Sequence, residues 1–381
     1  MIFQKIDYNI FCAGKENVFS FIKDVYDELI PLFPYKYYHV GGDEAPKKRW
    51  ENCPLCQKRM QENGLKNEAE LQSYFIARVE KILQEHDKIM IGWDEILEGG
   101  ITPTTNIMSW QGEEGGIKAA NAGHDVIMTP TAYSYLNFHQ GDYRVEPMAH
   151  GSYIPLEKVY NYNPIPEEIQ EDKEKHILGM QGNHWTEYAY EGKDIEYYAY
   201  PRIIAIAELT WSGENTKSYN DFLVRLDNLY PTLDFYNINY HIPLPEGPTA
   251  NNIAFIDSVS LEFNTTHPVK MVYTLDGSLP TPESEVYKNP LTFTEDTKIN
   301  IASVLSTGKI STIRKLQVKK VSLKAPSSVD NLASGLVMKT IKGHFEDASA
   351  ITGTPSNPKI IKNIQDANVT FDWGKDIEMY K

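Results

Sequence analysis

Tyr35-Lys36-Tyr37-Tyr38-His39-Val40-Gly41-Gly42-Asp43-Glu44 is the stretch that decides the fold. Its aromatic and β-branched residues through Gly41 read as a short strand. Two glycines then allow backbone or ligand to approach closely, and two carboxylates stand where the strand ends. Upstream, between Glu16 and Phe33, Val18, Ile22, Val25 and Leu29 recur at steps of four, three and four, predicting a helix that stops at Pro31/Pro34. Downstream, Leu71, Phe75, Val79 and Ile82 mark a helix from Glu68 to His86 that leads into a strand from Ile89 to Trp93. Further strands are expected at Asn106 to Trp110, Asp125 to Thr129 and Ile177 to Gln181, with helices at Gly115 to Gly123 and Ile195 to Leu209. Strands alternating with helices predict βα units and a parallel sheet or barrel. In a βα barrel the C-terminal strand ends carry the active site. By position alone, Asp43 and Glu44 fit an acidic first helical turn equally well.

The tryptophans tilt the balance. Trp93 with Asp94 and Glu95, Trp110, and Trp185 with Glu187 each follow a different strand end. One Trp alone is ordinary core, but a set repeated at the same point of successive units reads as a pocket wall.

The 381 residues suit two or three domains at roughly 150 residues each, or a barrel of about 250 with an appendage. With 41% hydrophobic and 23% charged residues the chain can bury a substantial core. Its longest apolar runs fall well short of the roughly 18–20 residues of a membrane span. Residues 1–242 carry 22 basic and 37 acidic side chains, whereas residues 243–381 carry 15 of each, so the whole net charge of −15 belongs to the first part. Such a field repels nucleic acid and anionic membranes. Five of the six Trp lie in that part too, a composition suited to a neutral, hydroxyl-bearing ligand. Cys12, Cys53 and Cys56 are too few for a disulfide framework, and Cys53-Pro54-Leu55-Cys56 has no second Cys/His pair at zinc-finger spacing, so it reads as structural. Lys5 and Asp7 stand where a signal peptide would need an apolar region.

After Tyr240 the texture changes. His241 to Pro248 is a Pro-rich, semi-rigid linker. Lys270 to Leu275 and Lys298 to Leu305 alternate as antiparallel strands, with the hairpin signal Asp276-Gly277. A small β-sandwich ending near Lys320 is expected. Val321 to Ser328 reads as another linker, and Ala333 to Lys381 as the opening of a further β-rich unit.

The segments HVGGDEAPKKRW, IGWDEILEGG, IMSWQG, TPTAYSYLNFHQG and GMQGNHWTEY, in that order, resemble those of the glycoside hydrolase family 20 β-N-acetylhexosaminidases, over residues 1 to about 242. Residues 243–320, with Tyr273 to Thr281, resemble the small β-domain attached to chitobiases and hexosaminidases. The last segment is more weakly similar to the start of an accessory β-module. The implied fold class is α/β: an incomplete (β/α)8 TIM-type barrel, about strands four to eight, in residues 1–242. An all-β immunoglobulin-like sandwich follows in residues 243–320, then a truncated β-rich module in residues 321–381.

A retaining glycosidase with its own nucleophile needs two carboxyls about 5 Å apart across the scissile bond. Adjacent side chains in extended chain point to opposite sides, so Asp43 and Glu44 are poorly placed to bracket a sugar. The substrate-assisted route of the resembled family resolves this: the 2-acetamido oxygen attacks the anomeric carbon and forms an oxazolinium. By resemblance, Glu44 is the general acid and then base, which asks that it arrive protonated, and Asp43 binds and orients the acetamido N–H. Trp93, Trp110 and Trp185 are aromatic walls, Tyr135 hydrogen-bonds the acetamido oxygen, and Glu187 takes a ring hydroxyl at the non-reducing end, making the action exo. His39 is a supporting residue. Asn137 stands where the family commonly has Asp, which removes a charge from hydroxyl recognition.

The resemblance implies no cofactor and no metal. The partners are glycans ending in N-acetylhexosamine: chitooligosaccharide, mucin or N-glycan. It also implies a secreted, periplasmic or cell-surface location for a full-length protein. The motif order puts Tyr35 to Gly41 at the family's fourth strand. Strands one to three and the substrate-binding Arg are therefore expected to lie outside the chain, leaving it poorly folded or inactive unless a partner supplies them. Two other readings stand beside the enzyme: a non-catalytic carbohydrate-binding protein, and an α/β metalloenzyme using His39, Asp43 and His184.

Overall fold

The structure, a computed structural model, describes residues 9–212 and 218–323 and two further strands, Leu336–Met338 and Lys359–Ile361. Helix α1 (Glu16–Leu29) ends just before Pro31, the expected stop, because Pro31 has no amide to continue the ladder. The strands β1 (Tyr37–His39), β2 (Ile89–Trp93), β3 (Asn106–Ser109) and β4 (Val126–Met128) follow. After a short parallel pair, β5 (Phe138–His139) with β6 (His150–Tyr153), comes β7 (Ile177–Met180). Strands β1-β2-β3-β4-β7 form one parallel sheet, paired Tyr37↔Ile89, Ile91↔Asn106, Ile107↔Val126 and Val126↔Ile177. All five expected strands are present in chain order, so every C-terminal strand end opens on the same rim.

The connections hold α2 (Lys48–Glu51), α3 (Pro54–Asn63), α4 (Glu68–Gln84), α5 (Glu114–Ala122), α6 (Thr131–Ser134) and α7 (Leu156–Tyr160). After β7 come α8 (Gly192–Ala199), α9 (Arg202–Ser212) and α10 (Tyr219–Phe235). Asn67 caps α4 by accepting the Glu70 amide. Ile76 and Leu83 of α4 and Ala119 and Ala120 of α5 pack on Met90, Ile107, Val126 and Met128 of the sheet. Burying Leu83 and Ile107 completely contributes about 1.5–3 kcal/mol each. A second core joins Tyr135, Leu136 and Phe138 to α7, α9 and α10 through Val159, Ile206, Phe222 and Leu226.

The single helix expected over Ile195 to Leu209 is two helices, α8 and α9, broken at Tyr200-Pro201. Pro201 cannot donate to the preceding turn, and the residue before a proline is pushed to extended backbone; Tyr200 has ψ 138. Among the described residues β1 and β7 have no second strand neighbour, and Tyr37 and Leu178 on these edges are exposed.

Beyond the linker lie β8 (Asn252–Phe255), β9 (Val259–Leu261), β10 (Lys270–Thr274), β11 (Glu285–Val286), β12 (Leu291–Phe293), β13 (Thr297–Val304) and β14 (Arg314–Lys320). They form a five-stranded sheet, β11-β10-β13-β14-β8, and a two-stranded one, β12-β9, sharing one core of Phe255, Leu261, Phe293, Ile299, Ile301 and Val318. All pairings are antiparallel except β14 with β8. The linker is packed: His241, Ile242 and Leu244 are buried, His241 Nε2 meets Glu146 Oε1 at 2.7 Å, and Arg314 donates to the carbonyls of Pro245 and Pro248.

Met1 to Val321 make one compact unit. In the unit that follows, β15 (Leu336–Met338) pairs antiparallel with β16 (Lys359–Ile361). The rest of the β-rich module expected there lies outside the described residues.

Candidate functional site

The loop after β1 is built by its glycines. Gly41 (φ 74°) and Gly42 (φ 100°) have left-handed backbone, and a Cβ on Gly42 would lie 2.3 Å from Ile96 Cγ2. The turn therefore closes against β2, and the Gly41 carbonyl accepts the Trp93 amide at 3.0 Å. Buried Gln72 of α4 donates to the Gly42 carbonyl at 2.8 Å. His39 Nδ1 accepts the Gly41 amide at 3.0 Å, so in the neutral ring the proton sits on Nε2. Its ring meets Trp93 edge-on at 4.5 Å. Desolvation lowers the His39 pKa, against an opposing pull from the Asp43 charge. Asp43 and Glu44 are exposed at the end of this loop, Glu44 with φ 45°.

The next strand end separates two adjacent carboxylates. A 3-10 turn, Asp94–Gly99, starts directly after Trp93. Asp94 turns inward, 6% exposed, and accepts Ser109 Oγ at 3.3 Å. Burial and then the neighbouring Glu95 charge raise its pKa to about 6. Glu95 turns the other way. It accepts the backbone amide of Glu44 at 3.2 Å, the indole N–H of Trp110 at 2.8 Å and the Gln111 amide at 3.3 Å. The sequence placed Glu95 beside Trp93 without a role; in the fold it connects three strand ends.

Four aromatic rings close a box on the rim. Centroids run Trp93 to Trp110 at 6.5 Å, Trp110 to Tyr135 at 6.1 Å, Tyr135 to Trp185 at 6.3 Å and Trp185 back to Trp93 at 6.3 Å. Burial raises the Tyr135 pKa, against the polar groups of Thr131, Trp185 and Asn183 around its hydroxyl, which lower it, and the Asp43 charge adds to the rise. Asn183 pins the loop, its carbonyl taking the Leu136 amide at 2.6 Å and its side chain donating to Thr129 Oγ1 at 2.6 Å. Arg202 of α9, fully buried, donates to the carbonyls of Leu136, Phe138, Ile154 and Tyr198. Neither Asn183 nor Arg202 carried a sequence signal beyond its type.

The expected residues are not all alike in placement. Asp43, Glu44, Trp93, Trp110, Tyr135 and Trp185 come together on one rim. Glu187 is exposed two residues past Trp185 and makes no hydrogen bond with the others. Asn137 is buried, 5% exposed, and its Oδ1 has no hydrogen-bond partner among the described residues. A hollow of about 580 Å³, lined by Phe11, Val40, Trp50 and Phe75, reaches Asp43 and Glu44 but none of the three tryptophans of the box. The carboxylate pair thus borders an apolar hollow as well as the aromatic box. The metalloenzyme reading of His39, Asp43 and His184 gains no support: among the described residues the metal-ligand grouping present is Cys12, Cys53 and Cys56.

Residues 2–214 match the family model described as glycosyl hydrolase family 20, catalytic domain, and residues 248–314 match that of the chitobiase/beta-hexosaminidase C-terminal domain. A beta-hexosaminidase of Porphyromonas gingivalis is 51% identical over 345 residues, 90% of this chain and 44% of that protein. One of Vibrio furnissii is 34% identical over 212 residues, 55% of this chain and 34% of that protein. Among solved structures, the exo beta-N-acetylglucosaminidase of Vibrio harveyi in complex with N-acetylglucosamine aligns with a TM-score of 0.56 at 33% identity. The aligned part is 61% of this chain and 37% of that one. The beta-N-acetylhexosaminidase of Bacteroides fragilis aligns with a TM-score of 0.55 at 29% identity, over 62% and 48% of the two chains. The chain spans less than half the length of each of these proteins. The likeness is to a TIM-type barrel with an attached C-terminal domain.

Proposed function

The chain belongs to glycosyl hydrolase family 20, and on that premise we propose that it carries the site of an exo-acting, retaining β-N-acetylhexosaminidase. The observation that carries this reading is the aromatic box of Trp93, Trp110, Tyr135 and Trp185 beside the exposed carboxylates of Asp43 and Glu44. Such a box suits an N-acetyl group, with its methyl against indole faces, its carbonyl oxygen on the Tyr135 hydroxyl and its N–H on Asp43. The five parallel strands are read as the fourth to eighth of a (β/α)8 barrel, and the domain after the linker as an immunoglobulin-like sandwich.

The substrate supplies the nucleophile. Its acetamido oxygen bonds to the anomeric carbon while the bond to the leaving oxygen breaks, and Glu44 gives that oxygen its proton. The Asp43 carboxylate balances the positive charge of the resulting oxazolinium. Glu44, now a base, takes a proton from the water that opens the ring at the anomeric carbon, which restores the amide and retains configuration. Glu187 and Asn137 take sugar hydroxyls at the non-reducing end, and His39 supports Trp93. The substrates are glycans ending in GlcNAc or GalNAc: chitooligosaccharide, mucin or N-glycan.

The test combines turnover and binding. A thiazoline mimic of the oxazolinium binds the chain, Trp110→Ala and Asp43→Asn weaken it, and Glu44→Gln lowers hydrolysis of a chromogenic β-N-acetylglucosaminide by about 10²–10⁴-fold. Failure to bind the thiazoline, or hydrolysis indifferent to Glu44→Gln, would overturn the reading. Thiazoline binding without any hydrolysis would make the chain a carbohydrate-binding protein instead.

A further inference from the structure

We propose that Cys12, Cys53 and Cys56 form a site for one thiophilic divalent cation, zinc foremost. The glycoside chemistry above uses none of these residues, and the proposal stands independently of it. Cys12 precedes α1; Cys53 is the N-cap of α3, and Cys56 is in its first turn. The fold brings Cys12 Sγ to 3.6 Å from both Cys53 Sγ and Cys56 Sγ, and all three sulfurs lie within 4.8 Å of one another. Zinc holds each thiolate at about 2.3 Å in a tetrahedron, which sets neighbouring sulfurs about 3.8 Å apart. The observed separations match that edge and are far from the roughly 2.05 Å of a disulfide.

The surroundings form a cradle for three sulfurs. A Cβ on Gly14 would lie 2.3 Å from the Leu55 carbonyl and 2.7 Å from the Cys56 nitrogen, so only glycine lets this loop press onto the Cys53–Cys56 turn. The loop is fastened on both sides of Cys12: Trp50 Nε1 donates to the Phe11 carbonyl at 2.9 Å, and Arg59 to the Gly14 carbonyl at 3.2 Å. Backbone amides of Cys56 and Leu55 point to Cys53 Sγ, and that of Gly14 to Cys56 Sγ. Amide-to-sulfur bonds of this kind favour thiolates. Three thiolates this close repel one another, and a divalent cation lowers their combined charge from −3 to −1. Among the described residues no His, Asp or Glu joins the group, so the fourth position falls to water or a small exogenous ligand. The cation would fasten the loop carrying Phe11 to α3, beside the hollow that reaches Asp43 and Glu44.

The full chain, reduced and stripped of metal, is titrated with Co²⁺. One equivalent should give the intense visible bands and near-ultraviolet sulfur-to-cobalt charge transfer of a tetrahedral thiolate site, bleached by one equivalent of Zn²⁺. Cys53→Ser should weaken binding by at least about a hundredfold, the upper end of what losing even an outer partner of a metal ligand costs. Absence of these bands with all three thiols reduced overturns the proposal, as do bands unchanged in both Cys12→Ser and Cys53→Ser. So does a protein that isolates with a Cys12 disulfide and takes up no cobalt after reduction. The wild-type spectrum needs no variant, so misfolding of a serine variant leaves the test intact.

Discussion

Glu95 accepts the backbone amide of Glu44 at 3.2 Å, joining the end of β2 to the residue with φ 45° at the end of β1. Its other oxygen holds the Trp110 indole at 2.8 Å. One side chain thus sets both the pose of the proposed acid and a wall of the aromatic box. Hydrogen bonds to a charged group contribute about 1.5–3 kcal/mol each. Glu95→Ala is therefore expected to lower kcat/KM by roughly tenfold to a hundredfold with the fold intact. Glu95→Gln, which keeps one acceptor, should lose less. Steady-state kinetics with circular dichroism on both variants checks this, and equal losses would refute the positioning role.

Tyr135→Phe keeps the ring stacked on Trp110 at 6.1 Å and removes only the hydroxyl. If that hydroxyl aligns the acetamido oxygen in the transition state, kcat falls by roughly tenfold to a hundredfold, one charge-assisted hydrogen bond's worth, while KM changes little. A raised KM at constant kcat would assign the hydroxyl to ground-state binding.

Asp94 makes stability depend on pH. Its folded-state pKa is raised to about 6, above the roughly 3.9 of an unfolded Asp. The folded chain therefore holds the extra proton between these values. The stabilising contribution is present below about pH 4 and is lost as pH rises through 6. Asp94→Asn keeps an acceptor for Ser109 and removes the buried charge, so Tm should rise above pH 6 and its slope between pH 4 and 6 should flatten. Thermal unfolding across pH 4 to 7.5 measures both; a shift of the same size at every pH would exclude Asp94 as the origin.

Arg202 is a buried cation whose pKa falls to about 9, burial outweighing the opposing charge of Glu146. Arg202→Met leaves the carbonyls of Leu136, Phe138, Ile154 and Tyr198 without this donor. Breaking a buried charged network costs about 3–5 kcal/mol, read as a lower denaturant midpoint. Two of those carbonyls flank Asn137, so thiazoline binding should weaken as well. Arg202→Lys, with one point of charge for a planar fork, should restore little of either.

The sheet was legible because five apolar strands alternate with helical periods and end in glycines, carboxylates and tryptophans. Those local signals survive in any context. The break at Pro201 was missed, because the apolar period from Ile195 to Leu209 runs across it. Asp94 and Glu95 show where reading stops. Two neighbouring acids look equivalent in sequence, and only the 3-10 turn after Trp93 sends one into the core and the other to Glu44. Arg202 looks like a surface charge on an amphipathic helix until the carbonyls it serves, 48 to 66 residues distant for three of the four, are in place. Cys12 is 41 residues from Cys53, and no spacing rule joins them.

The proline-rich run after Tyr240 has a practical meaning. Buried His241, Ile242 and Leu244, the Glu146–His241 contact and the Arg314 bonds to Pro245 and Pro248 make this run mortar. Ser306 on Asp227 at 2.7 Å and Lys309 on Asp234 at 3.0 Å continue the joint onto α10. Anyone trimming the chain at residue 242 to isolate the proposed site would uncover the face of α10 that Leu305, Ser306 and Lys309 cover, and the excised piece is expected to aggregate. A protease given the intact protein should pass over these prolines, although composition marks them as the obvious place to cut.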